Sequence, residues 1–490
     1  FNVLTDGMFG VNTGMWMLSA VVLIYVASGG LRAVAYVDTM QAVLLALGIV
    51  AIGIIAYNML PEGKSWAELL GALAQHDPKK TAEGYSHYIA IPGVIQFVAG
   101  LGVENPVGGA WTGMMILTYM FALMGIQSAP AFSMWAFSNH NPKPFAPQQV
   151  WASAFGIGFI LMVFTAIQGL GAHFLGADTA FMAAHPDLVN NVMGAGLGGK
   201  DLMESAGKQG MLVPQLIYLM ADAAPWLVGL LSVCALAAMQ STGAAYMSTA
   251  GGMLTRDILK RFVMPTASHG QQKLWGRIGV AVIVLAALVV ATTATDALVL
   301  LGGLAVAYGF QMWPALMSVC YFPWLTRQGV VLGLIAGLIA VTLTEKIGAQ
   351  YMPWGRWPWT LHSAGWGIIF NLGIAIIVSA MTQNKADTEH KMTFHSYLRE
   401  HASVAPENRK LVPTAWIIVL VWFFFGIGPG AVIGNTIFGS PLDSATWMFG
   451  IPSIWAWQLL WWALGVFMMW FLAYKMGMST VPDTEIEALH

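Results

Sequence analysis

Eleven apolar runs divide the chain, and each is close to the ~20 residues that an α-helix needs to cross the hydrocarbon core of a bilayer. Hydrophobic residues make up 57% of the sequence and charged residues only 9%, whereas soluble proteins are about 25% charged. This pattern predicts an all-α polytopic membrane protein. The runs lie at residues 11–28, 38–58, 111–137, 149–173, 225–252, 274–294, 297–322, 328–346, 364–381, 411–430 and 454–475.

Lysine and arginine are shared unequally between the loops. When the eleven runs alternate across a membrane, 14 basic residues fall on one side and 7 on the other. Cytoplasmic loops carry the Lys/Arg excess, so the richer side is predicted to be inside and the long loops 59–110 and 174–224 outside. We therefore expect a multi-pass protein of the plasma (inner) membrane. No basic patch is interleaved with stacking aromatics, which argues against nucleic-acid binding.

One apolar run carries two pairs of hydroxyl residues. Ser241 and Thr242 precede Ser248 and Thr249 by seven residues, about two helical turns, so the pairs share one helix face. Hydroxyls and carbonyls on a helix of small residues are hard oxygen ligands that suit a hard cation. The alternative is a tightly packed helix whose hydroxyls bond back to its own carbonyls. For this stretch alone, that alternative is favoured.

Two further segments interrupt apolar runs. Residues 25–41 contain a Gly-Gly turn that is predicted to join two spans, with Asp38 close to the start of the second. A helix-start cap would also explain that carboxylate. At 125–132, Gln127, Ser128 and a proline interrupt a helix near the bilayer middle, which is typical of the discontinuous helices that form transporter sites.

Motifs for other kinds of chemistry are missing from the sequence. It has no phosphate-binding loop, HExxH motif or CxxC pair, and its two cysteines fall inside apolar runs, so no disulfide framework is predicted. The runs hold almost no acid–base groups, so the chain is not expected to be an enzyme. Three histidines at 390, 395 and 401 lack the spacing of ligands on one helix face, which indicates a solvated segment rather than a metal site.

With the GGLRAV turn, the interrupted run at 111–137 and the Ser241–Thr242 pair in this order, the chain resembles the sodium/solute symporter family of proline, pantothenate, acetate and sugar carriers. The resemblance covers about residues 11–346. It implies a core of two five-helix inverted repeats, of which seven runs would be the fourth to tenth helices. It also implies that the first three core helices, which are needed for function, lie before Phe1 and that the chain is N-terminally incomplete.

The resemblance implies a sodium site. In the family, two adjacent hydroxyl residues on the eighth core helix and a carbonyl three residues earlier bind Na⁺, and these positions match Ser241, Thr242 and Ala238. The family's acidic residue on the route of the ion to the cytoplasm matches Asp38. Na⁺ is therefore the expected coupling ion, and no other cofactor is expected. Hydroxyls do not titrate, which favours Na⁺ over a proton.

The candidate solute-binding residues lie on three runs. Gln127 and Ser128 are the first candidates, and Tyr246 is a further one. Tyr308 and Gln311 share one helix face, although interhelical hydrogen bonding is the favoured alternative for that pair. No Arg or Lys lies at bilayer depth, so a carboxylate would rely on backbone N–H groups, hydroxyls and the sodium ion.

These residues predict a secondary active transporter. It would couple inward sodium movement to uptake of a small organic solute, such as a monocarboxylate, by alternating access. The expected partners are the solute, Na⁺ and the lipid bilayer. A membrane solute sensor and a proton-coupled carrier of the same fold are the alternatives.

The predicted organisation has four parts. Residues 1–346 form the partial symporter core, 347–381 one additional transmembrane helix, 382–410 a cytoplasmic linker, and 411–490 a two-helix membrane hairpin. The hairpin resembles a small two-helix companion subunit found beside some acetate-type members of the family. A structural role is expected for it.

Overall fold

The computed structural model describes residues 2–479 apart from positions 6, 61, 77–79, 82, 92–111, 140, 178, 185–211 and 294–297. The described residues form helices, with no β-strand among them and one isolated antiparallel bridge between Lys80 and Ser86. The all-α prediction is therefore confirmed. Parts of the two loops that are predicted to be outside, 59–110 and 174–224, lie beyond the described residues.

Ten elements of the described chain are long and apolar enough to cross a membrane, if one bent pair is taken as a single span. They are α1 (Val11–Asn58), α2 (Met114–Ser128 with Pro130–Phe137), α3 (Phe145–Ala172), α4 (Pro225–Val263), α5 (His269–Thr293), α6 (Leu301–Cys320), α7 (Arg327–Thr344), α8 (Ser363–Met381), α9 (Pro406–Ile427) and α10 (Ser453–Lys475). An interruption of α1 at Gly30 separates the predicted runs 11–28 and 38–58 and accounts for the eleventh span.

Shorter helices connect these elements. The α-helical ones are Trp66–His76, Thr179–Ala184, Leu212–Tyr218, Lys346–Tyr351 and Lys385–His401. Short 3₁₀ turns lie at Val3–Thr5, Pro358–Thr360, Pro429–Asn435, Ser444–Thr446 and Met448–Gly450.

The chain divides into two compact units. The first contains Phe1–Gly63 and Phe159–Leu298, and therefore α1, the second half of α3, α4 and α5. The second contains Lys64–Gly158 and Val299–His490, and therefore α2, the first half of α3 and α6 to α10. The four-part organisation drawn from the sequence stays a prediction.

Gly30 breaks α1 in the first unit. Its φ of 62° and ψ of −163° lie outside the helical region, and glycine adopts such a conformation without the steric cost that a Cβ would bring. The Gly-Gly turn is therefore present, but it is shorter than predicted. Residues 31–37 are already helical, because they contain neither proline nor a further glycine.

Small residues bring α1 close to its neighbours in the first unit. A Cβ on Gly48 would lie 2.5 Å from the Cβ of Cys234 in α4, and one on Gly53 would lie 2.9 Å from the ring of Phe164 in α3. The side-chain amide of Gln168 also donates to the carbonyl of Ile49 at 2.7 Å. Close backbone approach of this kind is how helices associate in a membrane.

A row of glycines packs α7 against α8 in the second unit. Gly329, Gly333 and Gly337 follow one another at four-residue spacing, which places them on one face of α7. A Cβ on Gly333 would lie 2.5 Å from the carbonyl oxygen of Asn371, and one on Gly337 would lie 2.5 Å from Oε1 of Gln311. The row is a small-xxx-small motif that sequence reasoning passed over.

The last two membrane helices pack within the second unit. The indole N–H of Trp422 in α9 donates to the carbonyl of Trp461 in α10 at 2.8 Å. In turn, Trp462 donates to the carbonyl of Ala154 in the first half of α3 at 2.8 Å and stacks on Phe155 with the ring centroids 5.7 Å apart. The structural role that was expected for the C-terminal hairpin stays a prediction.

The predicted cytoplasmic linker contains the helix Lys385–His401, which packs against α6 and the segment after it within the second unit. Lys391 donates to the carbonyl of Leu325 at 3.0 Å, and Nε2 of His395 lies 3.1 Å from the carbonyl oxygen of Ser318. His395 is only 4% exposed. The expectation of a solvated segment is therefore wrong for this residue, because its ring has a backbone partner on α6.

Candidate sodium and solute sites

The three predicted sodium ligands lie within about one turn of α4. The hydroxyl of Ser241 donates to the carbonyl oxygen of Ala238 at 3.3 Å. Thr242 is exposed, and its hydroxyl forms no hydrogen bond with the described residues. The alternative of hydroxyls that bond back to their own helix therefore applies to Ser241 and to Ser248, which donates to Ala245 at 3.0 Å. It does not apply to Thr242.

Thr249 is a further hydroxyl of interest on the same face. It is 2% exposed, and its Oγ1 has no hydrogen-bond partner in the described part of the chain. A buried polar atom without a partner costs about 1–3 kcal/mol. The pairing of Thr249 with Thr242 along the helix face was visible in the sequence, but the lack of a partner depends on packing that the sequence does not reveal.

Asp38 lies inside the second part of α1, eight residues beyond Gly30. It therefore does not cap the start of that helix, and the capping alternative is excluded by this position. Its Oδ1 is buried and has no partner among the residues that the structure describes, and the same is true of Oε1 of Gln41. Residues three apart share a helix face, so two partnerless oxygens lie on one side of α1.

Tyr25 connects the first part of α1, before the break at Gly30, to the helix of the predicted sodium ligands. Its hydroxyl donates to the carbonyl oxygen of Gln240 at 3.3 Å. Gln240 immediately precedes Ser241, so α1 is attached to α4 next to the predicted ligands. Asp38 and the Ser241–Thr242 pair are thus carried by two neighbouring helices of the same unit.

The predicted interruption of α2 is confirmed. Ala129 has an extended conformation (φ −67°, ψ 140°), and the helix axis bends by 46° there. The residue before a proline is disfavoured in the helical region, so Pro130 explains the break. Gln127 is exposed and makes no hydrogen bond with the described residues, whereas Ser128 is buried and donates to Met124 of its own helix at 2.9 Å.

The other solute candidates differ in their surroundings. The hydroxyls of Tyr308 and Thr342 are 2.7 Å apart, and Gln311, which is 1% exposed, accepts a hydrogen bond from Asn371 at 3.2 Å. Both contacts join different helices, which favours the interhelical alternative for this pair. Tyr246 is 44% exposed on α4 and lies one turn beyond Thr242.

The candidates are shared between the two units. The first unit carries Asp38, Ala238, Ser241, Thr242 and Tyr246. The second carries Gln127, Ser128, Tyr308 and Gln311. Their assignment to an ion site and a solute site stays a prediction.

Sequence reasoning missed a buried polar cluster around Glu345 in the second unit. Glu345 is 2% exposed. Its carboxylate accepts hydrogen bonds from Arg356 at 2.8 and 2.9 Å, from the indole of Trp357 at 2.8 Å and from the hydroxyl of Ser363 at 2.6 Å. A lone acidic residue at the end of the apolar run 328–346 was the signal that could have indicated it.

His362 lies beside this cluster, just before α8 begins. Its Nδ1 accepts a hydrogen bond from the backbone N–H of Ala364 at 3.2 Å, which requires that nitrogen to be unprotonated. Burial lowers the pKa of His362 from its ordinary value of 6.5 to about 4, and the charge of Glu345 opposes this shift while that of Arg356 adds to it. The ring therefore stays neutral near pH 7 and caps α8.

The model of the sodium:solute symporter family matches residues 3–337. The chain therefore belongs to the sodium:solute symporter family, as its motifs predicted, and it is a multi-pass integral membrane protein.

Several curated sodium/proline symporters are similar to the chain. That of Escherichia coli is 23% identical over 348 residues, which are 70% of this chain and 59% of the relative. That of Haemophilus influenzae is 27% identical over 171 residues, 35% of this chain and 33% of the relative. That of Salmonella typhimurium is 29% identical over 126 residues, 25% of each. The chain thus spans between a quarter and three fifths of these relatives.

The fold is similar to that of a solved structure of a Na⁺-coupled sialic acid symporter in a substrate-bound, outward-open state. The TM-score is 0.53 at 17% identity, over 78% of this chain and 70% of the other. This likeness concerns the fold, and it agrees with the symporter architecture that the sequence predicted.

Proposed function

We propose that the protein is a secondary transporter that couples inward movement of Na⁺ to uptake of a small organic solute by alternating access. The observation that carries the proposal is the set of oxygens on α4. Ala238 O and Ser241 Oγ lie 3.3 Å apart, and the neighbouring Thr242 hydroxyl has no partner among the described residues. Membership of the sodium:solute symporter family supports Na⁺ as the ion.

Neutral oxygen ligands suit an ion that is released in every cycle. Hydroxyl and carbonyl oxygens are hard ligands, and they hold a monovalent cation less tightly than a cage of carboxylates would. Ser241 and Thr242 carry no titratable proton in the physiological range. A proton-coupled carrier would need such a group in the ion site, so the residues present favour Na⁺.

Asp38 supplies a charge for the movement of the ion. A carboxylate in a membrane-spanning helix is costly unless it is paired or serves a function, and its buried Oδ1 has no partner in the part of the chain that the structure describes. Oε1 of Gln41, three residues further along the helix, is likewise buried and has no partner among the described residues. We assign both oxygens to a transient stage on the route of Na⁺ from Ser241 and Thr242 to the cytoplasm.

Gln127 is the strongest candidate for contact with the solute. Its exposed amide precedes the break at Ala129, and an interrupted helix offers free backbone groups to a ligand. The related proteins are described as carriers of proline and of sialic acid, and both of these compounds bear a carboxylate. A side-chain amide can donate to a carboxylate, so we infer a small carboxylate solute such as a monocarboxylate.

The sodium gradient supplies enough free energy for such uptake. Each positive charge that moves inward across 100 mV releases about 2.3 kcal/mol before any concentration term. This corresponds to roughly fifty-fold accumulation of solute for each sodium ion.

Uptake by proteoliposomes tests the proposal. The protein is reconstituted and offered labelled monocarboxylates, amino acids and sugars, with an inward Na⁺ gradient, an inward proton gradient or no gradient. We expect accumulation of a carboxylate that depends on Na⁺. Accumulation driven equally by protons alone would contradict the assignment of Na⁺, and binding of a solute without transport would support the sensor instead.

A further inference from the structure

A cavity of about 440 Å³ opens in the first unit beside the break in α1. Residues 26–31 of α1 form one wall, the end of α4 from Ser248 to Arg256 forms the second, and the start of α5 from His269 to Val280 forms the third. Five glycines are among the lining residues. They lack side chains that would fill the space where the three segments meet.

Three basic side chains line the cavity. Arg256, Lys273 and Arg277 are all exposed, and His269 lies with them at the start of α5. No acidic side chain is among the lining residues. In the described part of the chain, none of the three cations forms an ion pair. Like charges that share one cavity repel each other, so an anion bound there would relieve the repulsion.

Arg277 is already held in place at the cavity wall. Its Nε donates to the carbonyl oxygen of Ala27 at 2.8 Å, just before the break at Gly30. Its two terminal nitrogens form no hydrogen bond with described residues and remain available. A guanidinium group that is fixed in this way offers a planar donor set, which matches the geometry of a phosphate group.

Apolar side chains flank the same cations. Six and seven residues after Arg256 on α4, Phe262 is 74% exposed and Val263 is 63% exposed. Next to Lys273 in α5, Leu274 is 56% exposed and Trp275 is 43% exposed. In a multi-pass membrane protein, such surfaces contact acyl chains and the interface. The two helices that carry the cations of the cavity therefore also carry exposed apolar side chains outside its lining.

We propose that this cavity binds the phosphate headgroup of an anionic phospholipid. The three cations belong to the basic set that charge distribution assigns to the cytoplasmic side, and anionic lipids are concentrated in that leaflet. Basic pockets between membrane helices on this side are known to hold such headgroups. The cavity is distinct from the proposed sodium site, because a cluster of cations repels Na⁺.

Native mass spectrometry of the purified protein tests the proposal. The probe is dioleoylphosphatidylglycerol, with dioleoylphosphatidylcholine as the neutral lipid and glycerol 3-phosphate as the soluble phosphate. The variant R256Q/K273Q removes two cations of the cavity and keeps the hydrogen bond from Arg277 to the carbonyl oxygen of Ala27. A charge-assisted contact with a bound phosphate contributes about tenfold to affinity, so we expect the loss of two such contacts to lower the affinity for phosphatidylglycerol about 100-fold.

The matched control is K260Q/R261Q, which removes two exposed cations of α4 that do not line the cavity. We expect it to keep most of the affinity. Equal losses of affinity in the two double variants would overturn the proposal in favour of diffuse surface attraction. Equal binding of the zwitterionic phosphatidylcholine would also overturn it, because the cavity would then not select an anionic headgroup. Tighter binding of glycerol 3-phosphate than of phosphatidylglycerol would contradict the claim that the bound phosphate group belongs to a lipid. If R256Q/K273Q fails to fold, K273Q alone serves, with an expected loss of about tenfold.

Discussion

The hydroxyl of Tyr25 lies 3.3 Å from the carbonyl oxygen of Gln240 and donates a hydrogen bond to it. Through this contact, the first part of α1, before the break at Gly30, is fixed next to the two hydroxyls that are proposed to bind Na⁺. Since Gln240 is adjacent to Ser241, a change in this hydrogen bond is expected to reach the ion site directly.

Removing that hydrogen bond should weaken sodium binding. In Tyr25→Phe, the ring remains and the contact with Gln240 is lost. A hydrogen bond of this kind contributes about 1 kcal/mol, so the sodium concentration for half-maximal uptake should rise about fivefold. Tyr36→Phe is the control, since Tyr36 is 69% exposed on the same helix. Equal sodium dependence in both variants would rule out a link between Tyr25 and the ion site.

Neutralising Asp38 should slow turnover more than it weakens binding. Asp38→Asn keeps the shape of the side chain and removes the charge that is proposed to receive Na⁺ on its way to the cytoplasm. We expect the maximal rate of uptake to fall at least tenfold, with the protein present at the normal level in the membrane. The exposed neighbour Thr39→Ala is the control. Unchanged kinetics of Asp38→Asn would remove this residue from the ion route.

The neutral state of His362 predicts a pH dependence of stability. Its pKa is about 4 in the folded protein and 6.5 ordinarily, so the unfolded state binds more protons between these values. Stability should therefore fall as the pH is lowered through this window, by about 1 kcal/mol between pH 7 and 5.5.

Thermal unfolding at pH 7 and pH 5.5 measures this effect. In His362→Asn, the amide can still cap α8 but does not titrate, so the difference between the two pH values should shrink. The exposed His390→Asn should leave it unchanged. An identical pH dependence in the protein and in His362→Asn would show that another group is responsible.

Much of the fold could be predicted because it depends on local patterns. Apolar runs give the number of spans, and the proline after Ala129 gives the break in α2. The hydroxyl pairs of α4 follow from helical spacing. The length of the α1 break was overestimated, because two adjacent glycines indicate a loop, whereas only Gly30 leaves the helical region.

Features that depend on contacts between distant segments could not be predicted. The partners of Glu345 lie 11 to 18 residues away in sequence, and the burial of His395 requires the carbonyl of Ser318 on another helix. For the same reason, the sequence did not indicate which of the four hydroxyls at 241, 242, 248 and 249 lack a partner among the described residues. The cavity beside Gly30 also requires three separate segments to meet.

Equilibrium binding of ²²Na⁺ to the purified protein tests the central claim most directly. Thr242→Ala removes the hydroxyl that has no partner in the described part of the chain, whereas Ser248→Ala removes one that already bonds to Ala245. We expect Thr242→Ala to weaken sodium binding at least tenfold and Ser248→Ala to leave it nearly unchanged. Unaltered sodium affinity in a folded Thr242→Ala protein would contradict the proposed site on α4.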